Sequence, residues 1–112
     1  MSNARITLVN PNSLTTVTEA IARAVAPFQR LPLTFRCLTS TGGPAGIQTQ
    51  AEADASIAPM AQLFLQEAAA TDAFIVACFS DPGLHGLRDL VAAPVLGIGA
   101  VSYTHLTLPT KA

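Results

Sequence analysis

The sequence predicts an α/β domain: a four-stranded parallel sheet, strand order 2-1-3-4, with helices on both faces. Three observations predict it. Apolar strand-like segments alternate with helical ones in the order β-α-β-α-β-α-β, the pattern of a parallel sheet linked by crossover helices. Residues 73–78 (AFIVAC) form a continuous apolar run, as a central strand buried on both faces requires. The 112 residues are 50% hydrophobic and only 12% charged, enough for one small domain with its own core.

Each element has its own signal. Residues 5–10 (RITLVN) read as a short buried strand, ended by Pro11 because proline removes a ladder donor. Asn12 or Ser13 is placed to cap a helix over 14–26, where Val17, Ile21 and Val25 recur at four-residue spacing and Pro27 stops the run. Residues 32–38 alternate, with Leu33, Phe35 and Cys37 on one face of a strand. A Thr/Gly/Pro-rich loop over 39–49 follows. A helix over 50–70 then carries an apolar stripe of Ile57, Met60, Ala61, Phe64 and Leu65. After the central strand, Asp81 and Pro82 look like the cap and first position of a helix over 83–91. Residues 94–98 supply the fourth strand.

Composition excludes several classes. Six basic against seven acidic residues leave a net charge of −1, which argues against nucleic acid as a partner. No apolar run approaches the roughly 18–20 residues that span a bilayer, and the start, Met1 to Arg5, does not read as a signal peptide. Two cysteines, Cys37 and Cys78, are too few and too far apart for a disulfide scaffold. A reduced, cytoplasmic protein is expected.

The composition shifts near residue 100. The only Lys (Lys111), the only Tyr (Tyr103) and one of the two His (His105) fall in the last stretch. The run 101–110 (VSYTHLTLPT) reads as a translated transposase sequencing adapter, with Ala100 straddling the junction. The expected organisation is therefore a native segment 1–99 and an adapter-derived tail 100–112, with the natural protein continuing past Gly99.

In open parallel sheets, ligands bind beyond the carboxyl ends of the strands. Those ends carry Asn10-Pro11-Asn12-Ser13, Thr39 to Gly43, Cys78-Phe79-Ser80-Asp81 and Gly97-Ile98-Gly99. Cys78 stands where the central strand hands over to a helix. A thiol at a helix amino terminus has its pKa lowered, so a reactive thiolate is one reading and a buried, inert cysteine the other. Asn12 and Ser13 could hold a carboxylate or imide oxygen, or could only cap the helix. Thr41-Gly42-Gly43-Pro44 lacks the residues of a phosphate loop or a dinucleotide fingerprint and reads as a covering loop. Cys37 suits an apolar structural role, and His85 a solvated or capping one. No cluster has metal-ligand spacing, and no Ser-His-Asp order is visible.

Three segments together resemble a known family: Arg5 to Ser13 (RITLVNPNS), Ala73 to Leu84 (AFIVACFSDPGL) and Pro94 to Gly99 (PVLGIG). A weaker fourth is Gly43 to Asp54, where Gln48 stands in place of the usual Glu. The chain resembles the amino-terminal half of the aspartate/glutamate/hydantoin racemase superfamily, most closely the hydantoin racemase branch. The resemblance implies a flavodoxin-like half of a two-domain, cofactor-independent racemase with the site between the halves. Each half would supply one cysteine, one removing the α-proton and the other returning a proton to the opposite face. Cys78 matches the first of these. Asn12, Ser13, Phe79 and Ser80, at the same strand ends, are the expected substrate-binding residues. The implied substrate is a small molecule, a 5-substituted hydantoin or an amino acid, handled without metal or pyridoxal, in a homo-oligomer when full length. A single half lacks one acid/base partner, so little turnover and a tendency to self-associate are expected of residues 1–112 alone.

Two alternatives stand beside this. Maleate isomerase and arylmalonate decarboxylase share the superfamily's fold and reactive cysteines, and Asp-Pro-Gly after Cys78 favours the hydantoin branch. A noncatalytic flavodoxin-like binding module would explain the alternation without a missing half. The first strand, however, is followed by neither an acidic cluster nor a phosphate loop.

Overall fold

The computed structural model describes residues 4–29 and 32–100. The tail 101–112, including the adapter-like run, lies outside the described residues. Four strands, β1 (Ala4–Asn10), β2 (Leu33–Thr39), β3 (Ala73–Val76) and β4 (Val95–Gly97), form one sheet in the order β2-β1-β3-β4. Every neighbouring pair is parallel. The helices α1 (Thr15–Val25), α2 (Gln50–Glu67) and α3 (Leu84–Leu90) connect them. The predicted class, strand order and parallel pairing are all present.

The order also fixes which face each helix covers. The crossover from β1 to β2 runs in the opposite direction along the sheet from those of β2 to β3 and β3 to β4. Right-handed connections therefore put α1 on one face and α2 with α3 on the other. The α2–α3 face holds the main core, where Val9, Phe74, Val76 and Val95 from the strands meet Met60, Phe64, Leu84 and Leu87 from the helices. The Phe64 and Phe74 rings stack with centroids 4.2 Å apart and planes 12° off parallel.

The α1 face is covered on one side only. Asn10 and Thr39 both bond toward Thr18 of α1, directly or through its hydroxyl, so the residues in register with them face α1. Those residues include Leu8, Cys37 and, across β3 and β4, Ile75 and Leu96. Helix α1 packs over β1 and β2, burying Leu8, whereas Ile75 is half-buried and Leu96 is 45% exposed. The run 73–78, expected to be buried on both faces, is thus buried only through Phe74 and Val76, and it pairs as a strand only to Val76.

Other expectations are corrected locally. Helix α1 has Leu14 at its amino cap, which offers no side-chain acceptor, and Asn12 Oδ1 accepts from the Leu14 amide itself, two residues on, rather than from an amide of the first helical turn. After Val25, Pro27 does end the α-helix, and the chain passes through a 3-10 turn at Ala26–Phe28. Helix α2 stops at Glu67, followed by a 3-10 turn at Ala68–Ala70. Its buried face is Ala53, Ser56, Met60 and Phe64, while Leu65 is 57% exposed, one residue round from Phe64 and so turned about 100° away. Thr49 caps this helix in a full capping box with Glu52. Helix α3 starts at Leu84 behind Gly83 (φ 69°), not behind Asp81. The fourth strand is shorter than expected, and residues 98–100 are already helical.

Candidate active site at the carboxyl end of the sheet

The exit from β1 is a closed hydrogen-bond network. Asn10 is 1% exposed, and its Nδ2 donates toward Asn12 Oδ1 (2.8 Å), the Leu14 carbonyl (3.1 Å) and Thr18 Oγ1 (3.1 Å). Its Oδ1 accepts from the Asn12 amide at 3.2 Å. The Thr18 hydroxyl also contacts Thr39 Oγ1 at 2.6 Å, so one buried amide ties together the ends of β1 and β2 and the first turn of α1. Asn12 Oδ1 is occupied twice over, by Asn10 Nδ2 and the Leu14 amide, while its own Nδ2 makes no hydrogen bond among the described residues. The Ser13 amide donates to the Pro44 carbonyl, and its hydroxyl makes no hydrogen bond among the described residues.

The loop after β2 leans on this exit. The Gly43 amide donates to the Ser40 carbonyl, and a Cβ at Gly43 would collide with the Pro11 carbonyl. The residues expected to form a covering loop are therefore also a packed wall against β1, and Gly43 is the position that permits the approach.

The exit from β3 is open. The Ala77 amide donates to the Val9 carbonyl, continuing the β1 pairing by one residue before the chain turns. The turn closes with the Asp81 amide donating to the Cys78 carbonyl at 3.0 Å. Cys78 is half-buried, and its Sγ lies 3.3 Å from Ser80 Oγ. Phe79 is 74% exposed beside it. Ser80 lines a cavity of about 190 Å³ with Ile47, Gln48, Thr49, Gln50 and Ala53, so the capped amino end of α2 forms the opposite wall. There the Gln48 and Thr49 amides donate to Glu52, holding its carboxyl below the usual carboxylate range. Cys78 itself does not begin α3: five residues separate it from Leu84.

Sequence reasoning placed Cys78, Phe79 and Ser80 together, and they share this turn. Asn12 and Ser13 lie at the end of the adjacent strand, and no bond joins them to the Cys78 turn among the described residues. Cys37 is half-buried in β2, and burial pushes its thiol pKa up, which keeps it protonated. Both cysteines are free. Among the described residues no group of three or more His, Cys, Asp or Glu could hold a metal ion, and no helix is long and apolar enough to cross a membrane.

Two features were missed. Asn10 belongs to a segment that the sequence presents as a ligand-facing loop, yet it is the buried hub of that loop. Its position as the last residue of an apolar strand was the available signal, since a buried amide must find partners. Asp81 was read as the cap of α3. Its carboxylate instead accepts from the Gly99 and Ala100 amides after β4.

A parallel sheet in the order β2-β1-β3-β4 with a cysteine turn beyond its carboxyl end defines the class: an open, doubly wound α/β protein. The family model for Asp/Glu/Hydantoin racemase matches residues 6–111, and the chain belongs to that family. It is 34% identical over 94 residues to a hydantoin racemase of Rhizobium meliloti, covering 83% of this chain and 39% of the relative. It is 31% identical over 99 residues to a hydantoin racemase of Pseudomonas sp. (strain NS671), covering 88% and 40%. Among solved structures, allantoin racemase from Klebsiella pneumoniae superposes with a TM-score of 0.85 at 24% identity, over 95% of this chain and 43% of that one. Allantoin racemase from Pseudomonas fluorescens superposes with a TM-score of 0.77 at 26% identity, over 84% and 40%. The chain spans about two fifths of the length of the curated relatives it matches.

Proposed function

We propose that this chain forms the amino-terminal part of a cofactor-independent racemase acting on a 5-monosubstituted hydantoin. The observation that carries the reading is Cys78, half-buried beyond the carboxyl end of β3, with its Sγ beside Ser80 Oγ and with Ser80 lining a cavity against the start of α2. Relatives named for hydantoin and allantoin support the substrate class, because allantoin is itself a 5-substituted hydantoin.

The chemistry follows from the substrate. The C5 hydrogen of a hydantoin lies next to the C4 carbonyl, so removing it as a proton leaves the electron pair delocalised onto that oxygen. The Cys78 thiolate takes this proton and becomes a thiol. A second thiol, supplied by protein beyond this chain, gives a proton to the opposite face of C5 and becomes the thiolate. The product is the enantiomer, and the two sulfurs have exchanged protonation states. Cysteine suits both roles because its pKa lies near neutrality and is tunable. Ser80 Oγ orients the Cys78 sulfur, Asn12 Nδ2 and the Ser13 hydroxyl bind the ring's imide oxygens, and Phe79 packs on the C5 substituent. The complete protein works in a reducing cytoplasm, where both thiols stay free, and as a homo-oligomer.

The test is the complete protein with an optically pure 5-substituted hydantoin, followed by loss of optical rotation, with and without Cys78→Ser. Racemisation by the parent and its loss in the variant support the reading. Undiminished racemisation by the Cys78→Ser protein rejects it, as does a parent that leaves every such hydantoin optically unchanged.

A further inference from the structure

The turn that carries Cys78 is exposed, short and followed by a helix that does not cap it, so something else must hold it in place. Asp81 has the left-handed backbone (φ 47°), the one non-glycine residue to do so among the described residues. For an L side chain that conformation costs free energy unless its surroundings enforce it. What it achieves here is direction. The carboxylate is turned away from α3 and toward β4, where Oδ1 accepts from the Gly99 amide at 2.9 Å and Oδ2 from the Ala100 amide. Residues 98–100 are helical, so these are the amides that an amino-cap side chain ordinarily satisfies, supplied here from a different loop. Asp81 is also bonded within its own turn, through its amide to the Cys78 carbonyl and its carbonyl to the Leu84 amide.

Two glycines make the approach possible. A Cβ at Gly97 would collide with Asp81 Oδ1, and a Cβ at Gly99 would collide with the Phe79 carbonyl. The strained backbone, the two-pronged carboxylate and the two excluded side chains are separate observations, and they all describe one junction.

We infer that Asp81 is the positioning residue of the Cys78 turn, clamping it to the start of the segment after β4, with Gly97 and Gly99 as the sockets of that clamp. The functional consequence rests on the racemase reading of Cys78, whereas the clamp itself does not. The carboxylate bonds are charge-assisted and so stronger than neutral ones. Ala100 takes part through its backbone amide only, so its side chain does not enter.

Two measurements test this separately. The first is amide hydrogen exchange on the complete protein. Asp81→Ala is expected to expose the Gly99 and Ala100 amides and, with them, the residue-81 amide that closes the turn. Asp81→Asn, which keeps one acceptor oxygen and tolerates the left-handed backbone, is expected to restore most of that protection. Gly97→Ala is expected to reproduce the Asp81→Ala pattern, and to add nothing in an Asp81→Gly background where there is no carboxylate to strike. Native protection of the residue-81 amide in Asp81→Ala, or strictly additive effects of Asp81→Gly and Gly97→Ala, overturns the clamp. The second measurement is kinetic, on the complete protein. Misplacing a reacting sulfur by about an ångström costs on the order of 100-fold in kcat, so Asp81→Ala lowers kcat with KM little changed, and Asp81→Asn recovers most of it. Unchanged kcat in a folded Asp81→Ala protein overturns the positioning role. A parent with no racemase activity sinks the function proposed above, while the exchange experiment still decides the clamp.

Discussion

The turns after β1 and after β3 leave the same end of neighbouring strands, but they are built on opposite plans. The β1 turn is held from inside: Asn10 is buried, its amide satisfies four partners, and Thr18 and Thr39 extend the network to α1 and β2. The β3 turn is held from outside, by a carboxylate reaching across to the segment after β4, and its thiol meets a single hydroxyl. A saturated turn is a stability element. A turn whose thiol carries one weak contact, while its backbone is pinned elsewhere, suits the proposed chemistry.

Substitutions can separate the two plans. The largest effect is expected from Cys78→Ser in the complete protein: racemisation falls on the order of 10³-fold, while the denaturant midpoint stays nearly constant. A large shift in that midpoint would mean that the β3 turn is structural after all. Asn10→Ala should do the reverse. It removes the donor to the Leu14 carbonyl and the Thr18 hydroxyl and the acceptor of the Asn12 amide, and should cost about 1–3 kcal/mol in a urea unfolding curve. If stability is unchanged, the comparison fails from the β1 side.

The cap of α2 forms the far wall of the β3 cavity, and its contribution should be smaller. Thr49→Ala should cost about 1 kcal/mol. Because the Gln48 and Thr49 amides hold the Glu52 carboxyl below its unfolded value, its contribution is present above the ordinary carboxylate range and is lost as pH falls through the lowered value. The penalty of Glu52→Gln should therefore shrink in acid, which stability measured at pH 7 and again near pH 3 would show. The smallest effect concerns Cys37. Burial favours its protonated form, so in a Cys78→Ser background its alkylation rate should rise only at higher pH than a free thiol's. A profile matching the free thiol would place Cys37 in solvent.

Much of this architecture is legible in the sequence because it depends on local pattern. The alternation of Leu33, Phe35 and Cys37 gave β2 its faces, and the run from Ala73 gave β3 its central place, since both follow from period and hydrophobicity. The turn holding Cys78, Phe79 and Ser80 was visible for the same reason, as the residues that follow a central strand. What was not legible depends on partners distant in sequence. Asp81 has the residue type and spacing of an α3 cap, and only its left-handed backbone, enforced by contact with residues 97–100, sends it elsewhere. The α2 stripe failed at Leu65 because apolar residues on two adjacent faces leave the rotation to be set by the sheet beneath. The open half of the α1 face could not be read from Ile75 and Leu96, since apolar character says that a side chain can be covered, not what covers it.

That half-covered sheet carries a consequence for the order of events during synthesis. The buried residues of the α2–α3 side, from Val9 to Val95, are all encoded before Gly97. That side can therefore close as soon as β4 has left the ribosome. The β3–β4 half of the α1 face, bearing Ile75 and Leu96, has no helix over it among the described residues, and at typical elongation rates of about 5–20 residues per second it stays uncovered for as long as any later partner takes to emerge. The early half of this fold thus matures one surface at a time, and the unfinished surface is where a chaperone, or a misplaced neighbour, would first find it.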